Sequence, residues 1–264
     1  MTGDTLLILM LVIPLGGAVV ISMLDRAPNL RETATLLTAV ILFGLNIVLA
    51  VEVFDGARPT FEIAGFIPGA PIMLGAEPLG VIFGLIASGL WIVTSIYSIG
   101  YMRGKNEANQ TRFYTFFAIA LASTMGVAYG GNLISLFIFY EALSLSTYPL
   151  VTHHNNEAAR QGGRTYLGVL LGTSIGLFLF GVLWVWHEAG SVAFVPGGVF
   201  GADTNMSLIV PMLALFVFGI GKAGVMPFHR WLPAAMVAPT PVSALLHAVA
   251  VVKAGVFSVL KVTT

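Results

Sequence analysis

Four side chains in this sequence could carry proton chemistry, and all four stand among apolar neighbours. Glu141 lies in FIFYEALSLSTYPLV (137–151), Lys222 in FGIGKAGVMPFHRW, and His247 and Lys253 in PVSALLHAVAVVKAGVF. If these stretches cross a bilayer, each ionised group at a helix centre costs about 2.5–3.5 kcal/mol on insertion scales. One carboxylate and two amines together cost roughly 8–10 kcal/mol, the size of a whole domain's stability. Pairing and internal water must offset much of that. A desolvated lysine beside a carboxylate is a switch, because their separation decides whether the amine keeps its proton. His247 adds a group that titrates near neutrality in water. Together they suit a relay that moves protons, or a cation and protons, through the membrane interior. The competing reading is a Glu–Lys pair that only fixes helix registry, yet four titratable groups on three helices leave at least one over. For His247 alone, a packing hydrogen bond serves as well as a relay role. His247 and Lys253 are six residues apart, about 9 Å along a helix and about 120° around it, so they suit successive stations.

The surroundings of Lys222 predict a broken helix. Gly219, Gly221 and Gly224 bracket the lysine, and Pro227 removes a backbone donor and crowds the carbonyl near Ala223. Interrupted membrane helices are tolerated where they line a cavity, and they point to ion sites in transporters. The plainer alternative is a proline kink with small residues for close packing. Ser144 and Tyr148, one and two turns after Glu141, give its face polar company. The connector PFHRWLPAAMVAPTP carries His229, Arg230 and Trp231, and its aromatic and positive residues read as an interface anchor. His153 and His154, at the end of the same span as Glu141, either feed protons toward it or stand in solvent.

The elements that must hold these groups follow from composition. Hydrophobic residues make up 57% of the 264-residue chain and charged ones 9%, against roughly 25% charged in a soluble domain. That predicts an all-α polytopic membrane protein. Apolar spans fall at roughly 6–24, 33–53, 79–100, 113–130, 132–152, 165–187, 207–227 and 241–260, eight in all. The first lacks a basic n-region and a cleavage site, so it is read as a retained span. Gly130, Gly131 and Asn132 predict a tight turn between spans four and five, 54–77 an extracytoplasmic loop with a short β-hairpin, and 188–206 a second loop. With the N-terminus outside, the inner loops hold Arg26, Arg31, Arg103, Lys105, Arg112, Arg160, Arg164 and Arg230, and the outer side only Arg58 and Lys261. This asymmetry places both termini outside, in a plasma (inner) membrane. The absence of cysteine excludes disulfides, thiolate metal sites and thiol nucleophiles. Zero net charge argues against nucleic acid. The Gly-Gly stretches lack Walker or Rossmann spacing, and neither a cofactor nor a metal site is expected.

Three segments then carry a resemblance. YSIGYMRG (97–104), FIFYEALSLSTYPLV (137–151) and GIGKAGVMPFHRWLPAAMVAPTPVSALLHAVAVVKAGVF (219–257) resemble the antiporter-like family. Its members are the Mrp-type Na+/H+ antiporter subunits A and D, the proton-pumping subunits of respiratory complex I, and membrane-bound hydrogenase subunits. The resemblance implies Glu141 and Lys222 as a coupled pair, Lys253 as the central relay, and His247 on the same hydrated path or its entry branch. It implies a three-helix N-terminal region (1–112) and a five-helix translocating unit of helices four to eight (113–264), with a broken seventh helix. The family's second, inverted unit is absent from this sequence, which matches the N-terminal half. Either the sequence is a fragment or half-length subunit, or a homologous chain supplies the rest. The expected partners are the lipid bilayer and other membrane subunits. The expected function is translocation of H+, alone or in exchange for Na+, with any enzymatic chemistry of a translocase lying outside this chain. One membrane carboxylate is few for a dehydrated Na+, which favours H+. The alternatives are a structural scaffold subunit and a proton-coupled subunit of an inorganic-carbon uptake system.

Overall fold

The computed structural model describes residues 3–65, 70–195, 197–200 and 206–263. Helices α1 (Gly3–Met23) and α2 (Pro28–Phe54) precede a hairpin of β1 (Thr60–Ala64) and β2 (Ile72–Gly75), followed by α3 (Pro78–Gly104), α4 (Gln110–Ala128) and α5 (Leu133–Val151). Helix α6 (Glu157–Thr173) runs through a π-helical turn, Ser174–Phe178, into α7 (Leu179–Ala189) as one rod. Helix α8 (Met206–Gly219) stops short, and the chain then makes tight turns at Gly221–Ala223 and Phe228–Arg230 before the small helix α9 (Trp231–Ala234). The last rod joins α10 (Thr240–Ala244), a second π turn (Leu245–Val249) and α11 (Val251–Thr263). Among the described residues, 6 helical rods are long and apolar enough to cross a membrane. With α4 and the shortened α8 they account for the expected spans, and the architecture is that of an all-α polytopic membrane protein.

Local chemistry sets the helix starts. Asn132 and Asn156 cap α5 and α6, their side chains accepting from the backbone N–H of Ser135 and Ala159, both at 2.8 Å. Proline opens α2 and α3, where its missing N–H is not needed. The expected β-hairpin is present, antiparallel with Thr60 opposite Gly75; its residues 66–69 lie outside the described set. It clamps the α4–α5 turn: Gly131 N–H donates to the Met73 carbonyl at 2.9 Å and Gly75 N–H to that of Tyr129 at 2.7 Å. The start of α1, at Gly3 beside Pro59, and the end of α11 both lie on this hairpin face.

Helix α1 packs on α2 and α4, α2 on α3, and α4 on α5, while α11 packs against the Gly221–Ala223 turn. Gly255 makes that last contact possible. A Cβ there would stand 2.2 Å from the Ala223 nitrogen and 2.4 Å from the Lys222 carbonyl carbon.

Three charged or aromatic groups sit differently from expectation. Arg31, expected in a solvated loop, is 4% exposed. It donates to Thr111 at 2.9 Å and Gln110 at 2.8 Å and lies over the Tyr114 ring, beside a Glu32–Arg103 pair. Lys261, expected on the outer surface, is buried and lies 3.5 Å from Glu77. Trp231, expected as an interface anchor, is fully buried, because its indole has a hydrogen-bond partner inside the bundle.

His153 is also buried, edge-on to Phe113, rather than solvated; His154 faces Glu107 at 3.7 Å. Burial first, then the Arg112 charge, lower the His153 pKa below its ordinary value. The folded form therefore binds this proton less readily than the unfolded chain. The stability that follows is complete above the unfolded value of about 6.5 and is lost as pH falls through the folded value. His153→Phe is expected to flatten the fall in Tm on the acid side, measured in detergent across about pH 7 to 5. An unchanged pH slope would assign that fall to other groups.

Candidate proton-relay site

The break in α8 is made by glycine before proline can act. The helix ends at Gly219, where a Cβ would stand 2.3 Å from the Phe178 nitrogen, and Gly224 takes a positive φ of 71°. A discontinuous helix beside Lys222 was expected, but through Pro227 bending a continuing helix at Ala223. Pro227 instead lies beyond the break, after a cis bond to Met226. The turn is pinned from two sides. The Trp231 indole donates to the Gly221 carbonyl at 2.9 Å, and the Lys222 backbone N–H donates to the Tyr140 hydroxyl at 2.9 Å.

Lys222 is 0% exposed. Its Nζ donates to the Tyr140 carbonyl at 2.7 Å and to Ser144 Oγ at 2.6 Å, and it lies 3.2 Å from the centre of the Tyr140 ring. Two hydrogen bonds and a ring face account for the three N–H groups of an ammonium. Glu141, next along α5, is close enough to act on Lys222 electrostatically. Yet both its carboxylate oxygens are buried with no hydrogen-bond partner among the described residues. The acid and the amine are thus neighbours, with the amine held by other acceptors. Behind them, Thr147 and the Tyr166 hydroxyl share a hydrogen bond of 2.6 Å, and Tyr166 meets Trp231 edge-on at 5.6 Å.

The other expected residues are spread more widely. Ser144 is at the lysine, whereas Tyr148 turns to α6 and packs at Gly163. His247 lies on the π turn Leu245–Val249, half-buried, its Nε2 without a hydrogen-bond partner among the described residues. Lys253 is exposed on α11, two residues and so about 200° around the helix from Gly255, which faces Lys222. His229 is exposed beside a surface cavity of about 440 Å³ that Gln161, Thr165 and Arg230 also line. Tyr140, Thr147 and Tyr166 were not singled out from the sequence, and Trp231 was read there only as an interface anchor. The spacing of Tyr140 and Ser144, four residues apart on one helix face, was the signal available for the first.

Residues 130–264, which include this whole arrangement, match the family model described as NADH:quinone oxidoreductase/Mrp antiporter, TM. The chain belongs to that family. Within it, the chain is 32% identical over 195 residues to mnhA2 of Staphylococcus aureus (strain MRSA252), named as a candidate antiporter subunit. The match covers 72% of this chain and 24% of that relative. The same protein from strain JH9 is 33% identical over 195 residues, with the same coverage. The chain therefore spans about a quarter of the length of these curated family relatives. Two solved structures share the fold. One is the Mrp complex from Dietzia sp. DQ12-45-1b, with a TM-score of 0.82 and 24% identity over 96% of this chain and 27% of that one. The other is the membrane-bound sulfane sulfur reductase, an archaeal respiratory membrane complex, with a TM-score of 0.81 and 22% identity over 96% of this chain and 52% of that one.

Proposed function

We propose that the chain is an ion-translocating subunit of a multi-subunit membrane complex in a plasma membrane, passing protons through Glu141 and Lys222. The observation that carries this reading is the unpartnered Glu141 carboxylate beside a lysine bound elsewhere. A pair kept only for helix registry is expected to be closed, because an uncompensated buried charge is costly. An acid left open beside a held amine is poised to receive a proton when the lysine swings across. His247 and Lys253 continue the route along the last rod, and residues 113–264 act as the translocating unit with 1–112 beside it. The exposed Lys253 is to be covered by a further membrane chain or segment of the complex. The relatives support the setting, since their names place them in an antiporter and in Mrp and respiratory membrane complexes. A single carboxylate favours H+ over a dehydrated Na+; both termini are taken to face outward.

Glu141→Gln keeps the shape and removes the ionisable oxygen. In the assembled complex, reconstituted into vesicles, it is expected to reduce proton transport by about a hundredfold while the complex is recovered intact. Transport at the wild-type rate would sink the proposal. Loss of assembly instead would favour the scaffold reading.

A further inference from the structure

The start of α6 and the segment around α9 meet with no room for a side chain between them. A Cβ on Gly162 would stand 2.5 Å from the Ala234 carbonyl oxygen and 2.8 Å from Val237 Cγ2. Beside this contact opens the surface cavity of about 440 Å³ that His229 lines. Its volume falls within the roughly 300–1,000 Å³ of small-molecule sites.

The lining is of two kinds. Pro233, Ala234 and Val237 give it apolar surface, while Gln161, Thr165, His229 and Arg230 give it polar groups. The Thr165 hydroxyl already donates to the Gln161 carbonyl at 3.1 Å. The side chains of Gln161, His229 and Arg230 make no hydrogen bond or ion pair among the described residues. Three donor-bearing side chains thus line one cavity with their donors unused. No acid lines it among the described residues. Arg160 and Arg164 stand on the same turns of α6 as Gln161 and Thr165, against one acid, Glu157, in the first turn. The cavity also lies at a rim of the bundle. Arg112, in the first turn of α4, donates at 2.9 Å to the carbonyl of His153, just before α6. The starts of α4 and α6 therefore share one end, and the bundle meets lipid headgroups there.

We propose that this cavity binds an anionic phospholipid, its phosphate held by Arg230, His229 and Gln161 and its first acyl carbons laid on Pro233 and Val237. A guanidinium fork matches phosphate oxygens in pairs. Basic pockets between membrane helices are where anionic headgroups dock. The apolar part of the lining selects a lipid, since a free phosphate has no carbon to place on it. Trp231, next to Arg230, holds the Gly221 carbonyl through its indole. A lipid at Arg230 therefore braces the turn that carries Lys222. Only that consequence rests on the relay reading; the binding does not.

The assembled complex in phosphatidylcholine vesicles is given a trace of phosphatidylglycerol with a diazirine in its acyl chain near the glycerol. After illumination, adducts on this chain are mapped by mass spectrometry. Labelling of 158–165 and 229–237 is expected to exceed that by the matching phosphatidylcholine probe about tenfold. The double variant His229→Gln, Arg230→Gln should lose that excess. Ala158→Trp, which fills the cavity from its exposed rim and keeps every cation, should lose it too. Arg26→Gln removes an exposed cation from the same end of the bundle and should leave the excess unchanged. Equal labelling by the two probes overturns the site, and so does an excess that survives both cavity variants. An equal loss in Arg26→Gln would mean a general attraction to the basic end and overturn it as well. Loss of the excess to millimolar inorganic phosphate would make a free anion the ligand and overturn the lipid. Labelling needs no transport, so its failure leaves the relay standing, and failure of the relay leaves the labelling readable.

Discussion

Lys222→Met is expected to silence transport without unfolding the protein. Methionine matches the length of the lysine stem and removes the proton carrier, so a group working in acid–base exchange should cost about a hundredfold or more in rate. Stability should fall as well, because removing one partner of a buried pair leaves Glu141 without its counter-charge, at a cost of up to about 3–5 kcal/mol. The neutral acceptors left behind add little, since Ser144 Oγ also reaches the Tyr140 carbonyl at 3.4 Å. A lower Tm with the complex still recovered and transport at background is therefore the expected combination, read by a thermal melt in detergent and a proton flux assay on the same preparation. Retained flux would remove Lys222 from the path. A collapsed Tm with no complex would make it a structural residue.

The second large effect concerns Gly255, which touches no titratable side chain. A side chain there meets the backbone of Lys222 and Ala223 at 2.2–2.4 Å, and backbone cannot rotate away. Gly255→Val must push α11 off the broken turn. Overpacking of this kind costs up to about 3 kcal/mol, or about 6–12 °C in Tm for a chain of this size. Because the displaced turn holds the lysine, flux should fall as well. Gly168→Ala is the control, since a Cβ at Gly168 meets nothing within 4 Å, and it should leave Tm and flux unchanged. Equal melting of Gly255→Val and wild type would mean that the turn can follow the helix.

Most of the fold was legible because bilayer physics simplifies the sequence signal. Twenty apolar residues in a row mark a span, and glycine and asparagine between two spans mark a turn, so the helix order and the β-hairpin could be read directly. The break beside Lys222 was legible for the same reason, although its cause was assigned to Pro227 when the helix had already ended at Gly219. Charged residues at the rims were less legible. Arg31 and Lys261 look like loop charges by position, and only tertiary partners such as Thr111, Gln110 and Glu77 take them inside. The candidate site shows the same division. Burial cost singled out Glu141 and Lys222, but a cost argument identifies only the charge. It is silent on neutral partners, so the Tyr140 carbonyl and Tyr166 went unseen and Trp231 was placed at the interface. Lys253 looked equivalent to Lys222 on cost alone, and the direction of α11 separates them.

The indole hydrogen bond from Trp231 to the Gly221 carbonyl ties an optical property to the lysine-bearing turn. A rearrangement that moves the Gly221–Ala223 turn would strain or release that bond, and the indole with it. The ring is fully enclosed and edge-on to Tyr166, so a change in its emission would mark a change inside the bundle. The molecule therefore carries a native fluorophore bonded to the joint where its helix is broken, at the residue next to Lys222.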